Sequence, residues 1–216
     1  MKAKPNQKGF TLIELLVVIT IIAILASVSM PVFSSIQRKA KLNKSLQQAK
    51  GIYTGMYAKY GADGFLPEED NANDILKDIA IEMDSEKPFY VAGSMWHGRG
   101  TTSGGGDDLH ERSTPAGIAL EAGENHYAVN KTSTFEPRYP ILASGFSQTP
   151  GKYASEKTEL GGIWGGMEAV CIFGDGSGEI VELDEQYKAM KDVKGSKIDL
   201  FKYQGKVNMV NPRRGN

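Results

Sequence analysis

Lys8-Gly9-Phe10-Thr11-Leu12-Ile13-Glu14-Leu15-Leu16-Val17-Val18-Ile19 is the stretch on which the reading of this chain turns. It opens a run from Leu15 to Phe33 with no charged residue in 19 positions, about the length a helix needs to cross a hydrocarbon core. One carboxylate, Glu14, stands at the N-terminal edge of that run. Placing such a group in lipid costs roughly 2.5 kcal/mol or more on insertion scales. Glu14 therefore either lies at headgroup level or has a partner. Lys2, Lys4 and Lys8 precede the run with no acid among them, which favours keeping that end cytoplasmic and sending the rest of the chain outward.

Helical spacing continues beyond the uncharged run. Leu42, Leu46, Ala49, Tyr53, Met56 and Tyr60 recur three and four apart, an amphipathic stripe. Arg38, Lys39, Lys41, Lys44 and Lys50 fall between them. A helix over 10–60 is expected, roughly 75 Å long at 1.5 Å per residue. Pro31 removes a backbone donor and predicts a kink or local unwinding. Gly51 and Gly55 predict close approach to a sheet. Gly61-Ala62-Asp63-Gly64 carries the chemistry of a helix stop.

Downstream, Asn73–Ile79 reads as a short helix. Pro88–Ala92, Tyr127–Asn130, Tyr139–Ala143, Ala169–Phe173 and Glu179–Leu183 read as strands. Gly174-Asp175-Gly176-Ser177-Gly178 reads as the hairpin loop between the last two. Gly98–Asp108 has the composition of a surface loop, and the tail carries weak signals of either kind. The expected fold is α+β: a long N-terminal helix packed against a small antiparallel sheet.

The residues Lys8-Gly9, Phe10-Thr11-Leu12-Ile13-Glu14 and the later Pro31 resemble the N-terminus of type IV pilins and of type II secretion pseudopilins. The resemblance covers roughly the first 35 residues. It implies a leader over 1–9, cleavage between Gly9 and Phe10 by a prepilin peptidase, and N-methylation of Phe10. It implies a helix over 10–60, with 10–33 as transmembrane or filament core and 34–60 amphipathic, and a periplasmic or extracellular head over 61–216. Glu14 becomes the acid that meets the new amino group of a neighbouring subunit, and Pro31 belongs to the same assembly helix. The implied partners are other pilin-like subunits, the peptidase and methylase, the inner-membrane assembly platform and the inner membrane itself. Gly165-Gly166, Val170–Phe173 and Asp175-Gly176-Ser177 also look like a C-terminal Asp-Gly motif of some pilin-like proteins, with Gly165 where that motif has a histidine.

Other classes have less support. Ser177 and Ser94 lack the flanking glycines of a nucleophile elbow. His97, His110 and His126 show no metal-ligand spacing, and Asp107, Asp108, His110 and Glu111 read as a solvated loop. The formal net charge of -1 and the absence of a strongly basic segment suggest no nucleic-acid partner. The single cysteine, Cys171, sits in an apolar strand and reads as a core residue. Asp175 and Glu179, with the carbonyls between them, offer hard oxygen ligands for calcium, although a tight hairpin needs the same residues without an ion. Two rival readings remain: a membrane-anchored binding protein with a prepilin-type signal, and a secreted enzyme cut near Ala26.

Overall fold

The computed structural model describes residues 10–96, 120, 123–131, 135–137, 139–193, 195–202 and 207–214, with the side chains of 28–32 outside that set. Helix α1, Leu12–Tyr60, is continuous, and its hydrogen-bonded turns run on across Pro31, where the sequence predicts a kink or local unwinding. The chain divides inside this helix into two compact units, one ending at Lys41 and the other starting at Leu42. In the first unit the apolar side chains from Leu12 to Leu25 are exposed. Two of its hydroxyls return to the helix itself, Thr20 Oγ1 donating to the Leu16 carbonyl at 2.8 Å and Ser27 Oγ to that of Ile24 at 2.8 Å. That satisfies them without water, as an apolar setting demands.

In the second unit, the face of α1 that is fully buried is Leu42, Ser45, Ala49, Ile52 and Met56. The predicted stripe is therefore displaced: Leu46, Tyr53 and Tyr60 lie half-buried on its flank, while Ser45 and Ile52 take the centre. Ser45 escapes a hydropathy pattern because its value lies in its oxygens. The Tyr127 hydroxyl donates to the Ser45 carbonyl at 2.9 Å and lies 3.0 Å from its hydroxyl. Burial pushes the Tyr127 phenol well above its ordinary range, so it remains a neutral donor.

Five strands form an antiparallel sheet, in the order β4-β3-β2-β1-β7: Gly178–Glu182, Glu168–Phe173, Pro140–Ser144, Tyr127–Asn130 and Met209–Val210. Strand alternation sorts its residues onto two faces. Val129, Val170 and Ile172 join the core beneath α1. Ala128, Ala169, Cys171 and Phe173 turn to a second core with Phe146, Tyr153, Leu200 and Phe201. Ser144 Oγ accepts from the Val170 amide at 3.1 Å, and at the other end of β2 its register with β3 shifts between Pro140 and Leu142.

Helix α2, Ala72–Glu82, is capped by Asn71, whose side-chain oxygen accepts the Asp74 amide at 3.1 Å. Its Ile79 packs so close to Gly55 that a Cβ on Gly55 would stand 2.7 Å from Ile79 Cγ2. The approach predicted for the helix glycines is thus to α2 at Gly55, and Gly51 has nothing within 4 Å of such a Cβ. Pro88–Ala92 is not a strand: Lys87–Phe89 forms a 3₁₀ turn with Pro88 in its first positions, and Phe89 is fully buried. Proline's fixed φ suits that first turn. In the tail, Met190–Val193 and Ser196–Asp199 pair as the hairpin β5–β6. The final segment is tied back: the Ala72 amide donates to the Asn211 carbonyl at 2.9 Å, and the Arg213 amide to Asn73 Oδ1 at 2.9 Å.

The two helix glycines should respond oppositely to alanine. Gly51→Ala is expected to stabilise by about 1 kcal/mol through helix propensity, whereas Gly55→Ala destabilises because Ile79 or α2 must shift. Denaturant midpoints of the detergent-solubilised full chain would show a rise for the first and a fall for the second.

Candidate functional site

Thr11 precedes the first helical residue and Glu14 lies three positions on, the spacing of a capping box. The Thr11 amide and hydroxyl each donate to Glu14 Oε2 at 2.8 Å, and the Glu14 amide donates to Thr11 Oγ1 at 3.3 Å. The carboxylate therefore sits at the positive end of the helix dipole, where negative charge is favoured. It stands on the rim of a shallow apolar hollow lined by Phe10, Ile13, Val17 and Val18. Phe10, at 85% exposure, projects beside it. Gly9 and the leader lie outside the described residues, as does the side chain of Pro31. The capping box is legible in Thr-x-x-Glu, yet hydropathy alone treats Glu14 as an intruder.

At the far end of the sequence, β3 and β4 pair from Glu168↔Glu182 to Ile172↔Gly178 and meet at the Asp175 turn. Asp175 Oδ1 accepts the Ser177 amide at 2.8 Å. Hydrogen bonds from Ser177, the hydroxyl's first and then the amide's, hold the Asp175 carboxyl below the usual range. Gly176 has φ +79°, and a Cβ there would stand 2.6 Å from the Tyr53 ring. Tyr53 Oη donates to the Gly174 carbonyl at 2.7 Å. The Asp-Gly turn is thus the part of the sheet that docks on α1 at Tyr53, and glycine is needed both for the backbone and for the ring.

Glu179 faces the Lys191 ammonium, whose Nζ lies 3.3 Å from each carboxylate oxygen, while Asp175 is turned onto its own loop. No group of three or more histidine, cysteine or acidic residues able to hold a metal occurs among the described residues. His126 is fully buried, with Nδ1 2.7 Å from Ser94 Oγ. Sequence reading missed that contact, since 32 positions separate the two and nothing in either flank announces it. Trp96 also donates its amide to Ser94 Oγ at 3.3 Å, so this pair serves packing in the core. His97, Asp107, Asp108, His110 and Glu111 lie outside the described residues. Burial pushes the Cys171 thiol far above its ordinary range, which leaves it inert.

A long N-terminal helix on a five-stranded antiparallel sheet, with a capped acid at the start of an exposed apolar segment, defines an α+β, pilin-like fold. Residues 4–30 match the family described as the prokaryotic N-terminal methylation motif. That match is confined to the N-terminal segment, and over about a third of its length the chain is similar to type IV major pilins. It is 35% identical over 77 residues to the type IV major pilin protein PilA of Myxococcus xanthus, covering 36% of this chain and 32% of that one. Identity to the type IV major pilin protein PilE of Neisseria gonorrhoeae is 32% over 76 residues, 35% of this chain and 46% of the relative. The fimbrial protein EcpB of Eikenella corrodens is 38% identical over 69 residues, 32% and 43% of the two chains. The chain thus spans from about a third to under a half of the length of these curated relatives. No solved structure matches it. Among the described residues no helix is long and apolar enough to cross a membrane. The side chains of 28–32, inside the 19-residue uncharged sequence run, are not in that set.

Millimolar calcium is expected to leave the melting midpoint unchanged, and a rise of several degrees would show that a site forms. The lowered Asp175 carboxyl contributes stability above the unfolded aspartate value and loses it as pH falls below about 4. Asp175→Asn should therefore flatten the acid limb of a pH–stability profile.

Proposed function

We propose that this protein is a structural subunit of a type IV pilus-like or type II secretion pseudopilus filament, without catalytic activity. The observation that carries the reading is an exposed apolar helix whose start holds one carboxylate in a capping box beside Phe10. Cleavage between Gly9 and Phe10 releases an α-amino group at Phe10, which is then N-methylated. Before assembly the segment 10–33 anchors the chain in the inner membrane with the leader cytoplasmic. On assembly the same segment moves from lipid into the filament core, with the head, 61–216 together with the amphipathic 34–60, at its surface. The Phe10 amino group of one copy then meets Glu14 of another. Each charge is expensive alone in an apolar core, and their pairing selects one register over its neighbours. The partners are other copies or pilin-like subunits, the prepilin peptidase and methylase, and an inner-membrane assembly platform.

The membrane anchorage and the methylation motif also suit a binding protein that uses the same signal without polymerising. N-terminal sequencing of mature protein should give N-methyl-phenylalanine at Phe10, and a start beyond the apolar run would point to a secreted protein instead. Gly9→Leu should leave the chain at the mobility of the unprocessed form. Glu14→Ala should permit cleavage and reduce sheared filaments severely; undiminished filaments would count against the pairing, and a processed wild-type chain that forms none would favour the binding protein.

A further inference from the structure

Residues 207–214 run along one edge of the head and are held there largely by polar contacts. At their centre β7 pairs with β1 through Val129↔Val210 and Asn130↔Met209. Around it, three amides from separate parts of the chain donate to carbonyls of this segment: Ala72 to Asn211 at 2.9 Å, Gly123 to Arg213 at 2.8 Å and Lys131 to Asn208 at 3.0 Å. Buried side chains answer in the other direction, Asn130 Oδ1 accepting the Asn208 amide and Asn73 Oδ1 the Arg213 amide, both at 2.9 Å. The Asn211 side chain accepts the Phe146 amide at 3.1 Å and donates to the Ser147 carbonyl at 2.7 Å. Of the segment's own side chains Met209 and Pro212 are buried, Val207, Val210 and Asn211 are half-buried, and Asn208, Arg213 and Arg214 are exposed.

Each element that this segment joins also has another hold. Strand β1 is paired with β2 from Tyr127↔Ser144 to Val129↔Leu142, and Tyr127 is bonded to Ser45. Helix α2 is capped by Asn71 and buries Ile75, Leu76, Ile79 and Ala80. Phe146 packs against the rings of Tyr153 and Phe201, and its carbonyl accepts Trp96 Nε1 at 2.9 Å. Asn130 Nδ2 donates to the Pro140 carbonyl at 3.0 Å, a bond within the sheet. Resistance to local opening follows apolar burial, so a segment with two buried side chains opens more readily than the elements beneath it.

We propose that residues 207–214 form a strap that opens and closes as a unit while the rest of the head stays folded. Closed, it covers the edge of β1 and the first turn of α2. Open, it frees the Lys131 amide and the side of β1 that pairs with β7, an unpaired edge of the kind that takes up an extended segment of another chain. The strap is thus the guard on that edge. Asn211 is its fastening, because it bonds to α2 through its carbonyl and to Phe146 and Ser147 through its side chain.

Amide hydrogen exchange of the detergent-solubilised full chain tests this. In the wild type, Ala72, Gly123 and Lys131 should share one protection to within about threefold after correction for intrinsic rates, at least about tenfold below that of the Val170 amide on β3. Asn211→Ala, which removes both side-chain bonds, should speed the three amides together by about tenfold. Tyr127→Phe breaks a contact that survives in the open state, so it should speed Val170 by about tenfold and leave the three amides unchanged. Unequal protections in the wild type would mean independent fraying, and protection equal to that of Val170 would mean that the segment leaves only when the whole head unfolds. Either result overturns the proposal, whether or not the variants fold. Acceleration of Ala72 alone by Asn211→Ala, or of all four amides alike by Tyr127→Phe, would overturn it too.

Discussion

The Tyr127 hydroxyl, buried between the carbonyl and hydroxyl of Ser45, fixes where α1 lies on the sheet. Apolar burial brings helix and sheet together but has no direction. A buried phenol left without its partner costs more than the bond itself contributes, so neighbouring registers of the helix are penalised. The same residue is anchored on the strand side, since its amide and carbonyl both engage the Asn125 side chain, at 2.9 Å and 2.8 Å. Strand β1 lies between β2 and β7. What fixes β1 on α1 therefore fixes the sheet order around it, and the Tyr53–Gly174 bond repeats the arrangement at the β3–β4 hairpin.

The two halves of α1 solve different problems with one backbone. From Leu12 to Leu25 apolar side chains are exposed, and the hydroxyls of Thr20 and Ser27 are satisfied internally. From Leu42 onward a narrow buried face meets the head, and the remaining faces carry lysines. The first half finds no cover for its apolar side chains among the described residues. The second carries its own cover in the same chain, so the head is a packed body whatever the first half is doing.

Period and turn chemistry made much of this legible beforehand. Four strands lie where alternation and apolar runs place them, because Tyr127–Asn130, Pro140–Ser144, Glu168–Phe173 and Gly178–Glu182 are bounded by glycine and polar turns. Pro88–Ala92 misled because aromatic and β-branched residues suit a strand, while Pro88 also suits a 3₁₀ start and the burial of Phe89 decided between them. Strands β5 and β6 are four residues each and half or more polar, and β7 is only two residues long, so all three leave little trace in composition. The second core was hidden for a related reason: Phe146, Tyr153 and Phe201 come from loops and the tail, and meet only after the chain folds back. At the N-terminus the Thr-x-x-Glu spacing carries the capping box, and hydropathy passes over it because it registers apolarity and not hydrogen bonding.

The tie between α2 and the tail bears on the order in which the head can form. The first amide of α2, at Ala72, and the side chain of Asn73 are satisfied by Asn211 and Arg213, some 140 positions later. Asn211 also reaches back, its side chain accepting the Phe146 amide at 3.1 Å and donating to the Ser147 carbonyl at 2.7 Å. Contacts this distant in sequence must wait for loop closure and slow the search for the native state. A chain delivered outward from its N-terminal end would keep α2 and the β1 edge open until residues 209–213 arrive. Closure of the head is then coupled to complete delivery, and a chain stalled part-way would present an unfinished sheet edge to whatever lies nearby.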